Sequence, residues 1–77
     1  MPLRLPPLSG NKVINALESV GFERVRQHGS HVTLINRATR RTVPVPVHGT
    51  KALKPGTLMG IIHQAGLTRA EFLALLK

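Results

Sequence analysis

The sequence contains no cysteine, tryptophan or tyrosine, and its only phenylalanines are Phe22 and Phe72. The absence of cysteine excludes disulfide bonds, cysteine-ligated zinc sites and thiol nucleophiles, and it fits a reducing cytoplasm. Two phenylalanines cannot build a sheet surface of stacked aromatic rings, which is how a large class of RNA-binding modules captures unpaired bases. That class of protein is therefore excluded.

Acidic residues are nearly as scarce. Asp and Glu number 3 against 11 Lys and Arg, so the formal net charge is +8 and the sequence pI is about 11.9. No acidic residue lies between Glu23 and Glu71, the stretch that holds most of the basic residues. A surface that serves only solubility normally mixes both signs. The imbalance predicts a polyanionic partner, such as a nucleic acid or an acidic protein.

Long apolar runs are also missing. No segment approaches the roughly 18 uncharged apolar residues of a membrane span, and the first residues lack the apolar stretch of a signal peptide, so we expect a cytoplasmic protein without a membrane partner. With 77 residues, of which 42% are hydrophobic, the chain has material for one small domain. Residues 1–8, rich in proline, are predicted to be an extended leader outside the core, and residues 9–77 a single domain.

Local start and stop signals predict three helices. Ser9 is a good N-cap, and apolar residues recur after it at helical spacing until Gly21 ends the first helix. The second helix begins at Pro55 and ends at Gly66. The segment Thr68-Arg-Ala-Glu71 is a capping box, which predicts a short third helix at the C-terminal end.

Between the first two helices, the sequence alternates with the period of a β-strand. Residues 22–27 and 31–35 flank a glycine-containing turn and predict a hairpin, and residues 42–47 predict a third strand. Pro44 and Pro46 place that strand at a sheet edge, because their missing N–H groups lie on the same side. The predicted fold class is α+β: a three-stranded antiparallel meander in the order α-β-β-β-α-α, with its helices on one face.

Alternation also assigns side chains to the two faces of the predicted sheet. The side chains expected to face the helices are Val25, Val32, Leu34, Val43 and Val45. The other face is expected to be polar and basic, with Ile35 as an exception, and to carry Arg24, Arg26, His31, Thr33, Thr42 and His48.

Histidine is the residue type most suited to proton transfer in this sequence. His31 follows the Gly29-Ser30 turn and is predicted on the basic face, so it is the candidate general acid or base. His48 is the candidate assistant. The 4 histidines and 3 acidic residues show no spacing typical of metal ligands, so we expect neither a metal site nor another cofactor.

A second candidate site precedes the second helix. Lys51 and Lys54 lead into its first turn, where main-chain N–H groups have no partner. Gly56 allows the close approach of an anion, and Thr57 follows it. This segment is either an ordinary helix start or a phosphate contact.

Several short motifs, in order from Ser9 to Lys77, resemble the HicA family, the toxins of bacterial and archaeal toxin–antitoxin pairs. They are Gly21-Phe22, Val25-Arg26-Gln27, Gly29-Ser30-His31, Val45-Pro46-Val47-His48, Leu53-Lys54-Pro55-Gly56-Thr57-Leu58, Gln64-Ala65-Gly66-Leu67 and Glu71-Phe72. The resemblance implies a fold like that of a double-stranded-RNA-binding domain, cleavage of messenger RNA, and neutralisation by the antitoxin HicB. It also implies that His31, in the Gly-Ser-His motif, is the catalytic histidine.

The leading hypothesis is therefore a metal-independent endoribonuclease of a type II toxin–antitoxin system. His31 assists attack of a ribose 2′-OH on the adjacent phosphate, while Arg24, Arg26, Lys51 and Lys54 hold phosphates. The products then carry a 2′,3′-cyclic phosphate and a 5′-OH. A basic site also predicts that the antitoxin is acidic where it binds.

Two positions depart from the family pattern. Val32 follows His31 where many relatives have a second histidine, and Pro44 replaces a residue that is usually a strand donor.

Two other functions stay open. One is a non-catalytic RNA-binding module with the same fold, which predicts salt-dependent binding without cleavage. The other is a helix-turn-helix DNA-binding protein built from the last two helices.

Overall fold

The computed structural model describes residues 5–76, which form three helices and a three-stranded antiparallel sheet with the order β1-β2-β3. The elements are α1 (Gly10–Glu18), β1 (Glu23–His28), β2 (His31–Asn36), β3 (Arg41–Pro46), α2 (Pro55–Gln64) and α3 (Arg69–Ala74). This architecture confirms the predicted α+β meander. None of the helices in the described part of the chain is long and apolar enough to traverse a lipid bilayer.

Side-chain caps begin α1 and α3 where the sequence predicts them. The Ser9 hydroxyl accepts a hydrogen bond from the main-chain N–H of Lys12 at 3.4 Å. The Thr68 hydroxyl accepts from the N–H of Glu71 at 3.1 Å, and the Glu71 carboxylate accepts from the N–H of Thr68 at 2.8 Å. These bonds satisfy donors that the first turn of a helix leaves unpaired, so the chain enters both helices at fixed points.

The core lies between the helices and one face of the sheet. Successive side chains of a strand point to opposite faces, and the buried strand residues are Val32, Leu34, Val43 and Val45. The largest fully buried side chains from the helices are Phe72, Ile14, Leu17, Leu58 and Ile62. We call the other face of the sheet the open face. Its members on β2 are the exposed His31 and the half-buried Thr33 and Ile35.

The segment before α1 takes part in this packing. Leu8 is only 7% exposed and belongs to the core, and its carbonyl accepts a hydrogen bond from the N–H of Leu53 at 2.7 Å. A bridge between Ser9 and Ala52 continues the pairing. The prediction that the whole leader stays outside the core is therefore wrong at Leu8, because main-chain pairing draws it onto the loop before α2. Residues 1–4, with Pro2, lie outside the described residues.

β1 departs from regular alternation through a bulge at Val25. Arg24 is opposite Leu34 and Arg26 is opposite Thr33, which leaves Val25 without a partner in the register. An extra residue of this kind shifts the alternation, so that the side chains on one side of the bulge point to the opposite face of the sheet from the one that regular alternation predicts. Val25 is 46% exposed, and Arg24 shares the helix-covered face with Leu34. The assignment of Arg24 to the open face is therefore wrong, and Val25, which was expected to face the helices, is not buried in the core.

β3 is an edge strand, as its prolines predict. The N–H of Val47 donates to the carbonyl of Ser30 at 2.6 Å, so the main-chain groups of Val47 point inward, toward the neighbouring hairpin. Main-chain N–H groups alternate in direction along a strand, and Pro44 and Pro46 are an odd number of residues from Val47. Their missing N–H groups therefore lie on the outer side of the sheet. The ladder inside the sheet therefore loses no hydrogen bond to either proline.

Asn36 is a buried polar residue at the end of the sheet opposite to the β1–β2 turn, with 7% of its surface exposed. Its side-chain amide donates to the carbonyl of Val20 at 3.2 Å. Its side-chain oxygen accepts from the N–H groups of Ala38 at 3.0 Å and Thr39 at 3.2 Å. One side chain thus joins the β2–β3 turn to the connection between α1 and β1.

Candidate active site

Three histidines lie at one end of the sheet. In an antiparallel meander, the end of β1, the start of β2 and the end of β3 meet at the same end, and these places are taken by His28, His31 and Pro46. The register pairs His31 with His28 on one side and with Pro46 on the other. His48 follows two residues after Pro46, and all three histidines are exposed. The predicted proton-transfer residues His31 and His48 therefore share one end of the molecule.

The turn before His31 is a two-residue hairpin turn formed by Gly29 and Ser30. Gly29 has a φ of +62°, in the left-handed region that glycine adopts without a steric penalty. The Ser30 carbonyl receives the hydrogen bond from Val47. The turn of Gly29 and Ser30 therefore holds His31 in place relative to the chain that leads to His48.

Of the two arginines predicted on the open face, the structure places only Arg26 there. Arg26 is exposed and lies opposite Thr33, one row of side chains from the histidine pair. Arg24 lies on the helix-covered face, where its Nε is 3.4 Å from a carboxylate oxygen of Glu18 in α1. The bulge thus separates Arg24 from the other predicted phosphate-binding residues.

We call the cross-strand row of His28, His31 and Pro46 the histidine row. A groove of about 460 Å³ lies next to it. Its lining residues are Pro46, His48, Lys51, Ala52, Leu53, Lys54 and Thr57. The groove borders the row because Pro46 is the register partner of His31. Two lysines and an imidazole around one concave surface favour an anionic ligand. We call this surface the lysine groove.

The first turn of α2 forms one wall of the lysine groove. Lys54 is the N-cap and makes no side-chain capping bond. The N–H groups of Gly56 and Thr57 lie in the first turn, where an α-helix provides no acceptor for them. The space around Gly56 is open, because a Cβ at this position meets no atom within 4 Å. These donors and the helix dipole favour an anion at the rim of the groove.

The carboxylates of the described residues are engaged away from this end. The three arrangements are Glu18 with Arg24 at 3.4 Å, Glu23 with Arg37 at 2.9 Å, and Glu71 in the capping box of α3. Arg26, Lys51 and Lys54, in contrast, form no ion pair within residues 5–76. The positive charge around His31 is therefore not neutralised by the chain's own acidic side chains.

His28 is the residue at this end that the sequence analysis did not single out. A signal for it was present, because a two-residue turn pairs the residues on either side of it. The Gly29-Ser30 turn alone therefore places residue 28 opposite residue 31. Side chains directly opposed in an antiparallel pair have Cβ atoms about 5 Å apart. His31 thus has a second imidazole beside it, although Val32 follows it in the sequence.

Within residues 5–76, the structure brings together no group of three or more His, Cys, Asp or Glu side chains that could hold a metal ion. The chemistry available at this end is that of imidazoles, lysine and arginine cations and main-chain N–H groups.

Comparison with known proteins bears on this site directly. The sequence model of a family described as the HicA toxin of bacterial toxin–antitoxin systems matches residues 10–67. The match runs from the first residue of α1 to the residue before the capping box of α3, and so includes the histidine row and the lysine groove. No curated protein matches the chain.

Proposed function

Because the chain belongs to the HicA family of bacterial toxins, we propose that it is an endoribonuclease that cleaves messenger RNA in the cytoplasm. The observation that carries this proposal is the position of His31. It is an exposed imidazole beside a groove lined by Lys51 and Lys54, on a part of the surface where cations have no carboxylate partners. RNA cleavage without a metal needs a proton acceptor near a bound phosphate. In this proposal His31 is the proton acceptor, and Lys51 and Lys54 bind the phosphate.

In the proposed reaction, His31 accepts the proton of a ribose 2′-OH as the oxygen attacks the adjacent phosphorus. Arg26 lies one row from His31 and offsets the charge that grows on the phosphate oxygens. Lys51 and Lys54 hold a neighbouring phosphate in the lysine groove, with the N–H groups of Gly56 and Thr57 at its rim. The products carry a 2′,3′-cyclic phosphate and a 5′-OH.

Arg24 and His48 take different places in this proposal. Arg24 is left out, because its guanidinium pairs with Glu18 on the face that the helices cover. His48 lines the lysine groove and is the candidate assistant that the sequence predicts.

A toxin of a toxin–antitoxin pair has an antitoxin as its partner. We infer an antitoxin of the HicB type whose contact surface is acidic, because the surface it must cover on this chain carries unpaired cations. Expression of the chain alone should arrest growth, and co-expression with the antitoxin should restore it. If expression of the chain alone leaves growth unchanged and no acidic protein co-purifies, the toxin assignment of this chain loses its support.

A matched variant separates nuclease toxicity from general toxicity of a basic protein. His31→Ala keeps the net charge of the chain and should abolish growth arrest, while His63→Ala, at an exposed position in the last turn of α2, should not. Equal growth arrest by both variants would show that toxicity does not depend on His31.

A non-catalytic RNA-binding module is the alternative that a specific observation favours. The lysine groove and Arg26 do not include His31, so they could bind RNA without any proton transfer. This alternative predicts salt-dependent RNA binding by the unmodified protein and no cleavage at any pH.

A further inference from the structure

His28 occupies a position that nothing in the fold requires to be histidine. It is exposed, it ends β1, and it forms no side-chain hydrogen bond or ion pair within the described residues. Its one close structural relationship is the register pair with His31 on the open face. A histidine whose side chain has no bonding partner within the described residues, and which lies opposite the proposed general base, is a candidate for the same reaction.

We propose that His28 is the general acid of the cleavage reaction, which rests on the proposed function of His31. His31 takes the proton of the 2′-OH, and the 2′ oxygen forms a bond to phosphorus. The bond between phosphorus and the 5′ oxygen breaks, and the leaving 5′ oxygen receives its proton from the imidazolium of His28. One proton enters the protein and one leaves it, so the step needs no metal and no further reactant.

The register supports this division of roles. Cβ atoms about 5 Å apart on one face let two imidazoles rise side by side from the sheet. A phosphodiester above them can meet a ring nitrogen of each, because hydrogen bonds of about 2.8 Å extend from both rings. On the other side of His31 the row ends in Pro46, which cannot exchange protons. His48 lies beyond Pro46, in the lysine groove, where it is placed to contact the neighbouring phosphate.

Few charged groups share the open face with the two histidines. On β1 they are Arg26, in the adjacent row, and Glu23, at the far end in an ion pair with Arg37. On β3 the open face carries Pro46, Pro44 and Thr42, none of which titrates, and the helices pack on the opposite face. His28 and His31 are therefore the two imidazoles that this face of the sheet offers for proton transfer.

The test compares two RNA substrates with the same sequence. One has a normal phosphodiester at the cleaved position, and the other has sulfur in place of the 5′ oxygen. The sulfur leaves without a proton, because thiols are far more acidic than alcohols, with a pKa of about 8.5. His28→Gln should cleave the oxygen substrate about 100-fold more slowly than the unmodified protein and the sulfur substrate at nearly the unmodified rate.

Three controls make each outcome decisive. His31→Ala should lose activity on both substrates, and His63→Gln, an exposed histidine on α2, should match the unmodified protein on both. Equal slowing of both substrates by His28→Gln would overturn the role of His28 as an acid and leave the nuclease intact. Sulfur rescue of His48→Gln instead of His28→Gln would assign the acid to His48. Failure of the unmodified protein to cleave either substrate would contradict the proposed function itself.

Discussion

Gly10, the first residue of α1, lies so close to Pro46, the last residue of β3, that a Cβ at position 10 would overlap the Pro46 carbonyl oxygen. The carbonyl belongs to the residue paired with His31. The start of α1 is therefore fixed against the end of the sheet that carries the histidine row. Packing at this contact sets the position of Pro46 between His31 and the lysine groove.

Replacement of Gly10 by alanine should therefore damage both stability and activity. Gly10→Ala should lower the free energy of unfolding by about 1–3 kcal/mol, the usual effect of overpacking a tight contact, and should slow RNA cleavage because Pro46 must move. Gly60→Ala is the matched control: Gly60 lies inside α2, and a Cβ there meets no atom within 4 Å. It should be stabilising by up to about 1 kcal/mol. Urea denaturation measures both, and an unaffected Gly10→Ala would contradict the contact.

The two arginines of β1 should behave differently in RNA binding. Arg26→Gln should weaken binding and reduce the slope of log affinity against log salt by about 0.7, the value for one phosphate contact on a single strand. Arg24→Gln removes the same charge from the chain but should leave the slope unchanged, because Arg24 pairs with Glu18 on the covered face. Salt titrations of fluorescently labelled RNA measure the slopes. Equal slopes for the two variants would contradict the face assignment made by the bulge.

The lysine groove should contribute to binding rather than to the chemical step. Lys51→Gln and Lys54→Gln should each reduce the salt slope by about 0.7 and raise the substrate concentration needed for half-maximal cleavage. Arg40→Gln, in the β2–β3 turn at the other end of the sheet, is the charge-matched control and should change neither quantity. If Arg40→Gln has the same effect as the lysine variants, binding follows net charge and not the groove.

Asn36 should matter for stability without taking part in the reaction. Asn36→Ala removes the side chain that serves the Val20 carbonyl and two N–H groups of the β2–β3 turn. Buried groups left unpaired should lower the free energy of unfolding by about 1–3 kcal/mol. Cleavage at a temperature where the variant stays folded should be unchanged. Asn15→Ala, at an exposed position in α1, should leave stability nearly unaffected. Loss of cleavage in folded Asn36→Ala would show that the far end of the sheet influences the site.

Features governed by neighbouring residues could be predicted from the sequence. The caps at Ser9 and Thr68 depend on residues within one turn, and the edge position of β3 follows from the chemistry of Pro44 and Pro46. The hairpin that presents His31 follows from Gly29 in the same way. The position of His31 on the open face was therefore available from local rules.

Features governed by tertiary contacts could not be predicted. The bulge at Val25 leaves no local signal in a segment that alternates well, and it depends on how β1 meets β2. The burial of Leu8 depends on a hydrogen bond to Leu53, far along the chain. Alternation and proline content assigned Arg24 and Leu8 to the wrong places because both rules ignore such partners. The pairing of His28 with His31 was missed because the predicted strand ended at residue 27, although Gly29-Ser30 is a residue pair typical of a two-residue turn.

The most direct test of the central claim uses end-labelled single-stranded RNA in the presence of EDTA. The unmodified protein should cleave it and leave 2′,3′-cyclic phosphate and 5′-OH ends. His31→Ala should bind the same RNA with similar affinity and cleave it at least about 100-fold more slowly, because it lacks the general base. Equal cleavage by His31→Ala, products with 3′-OH ends, or a requirement for magnesium would contradict the account.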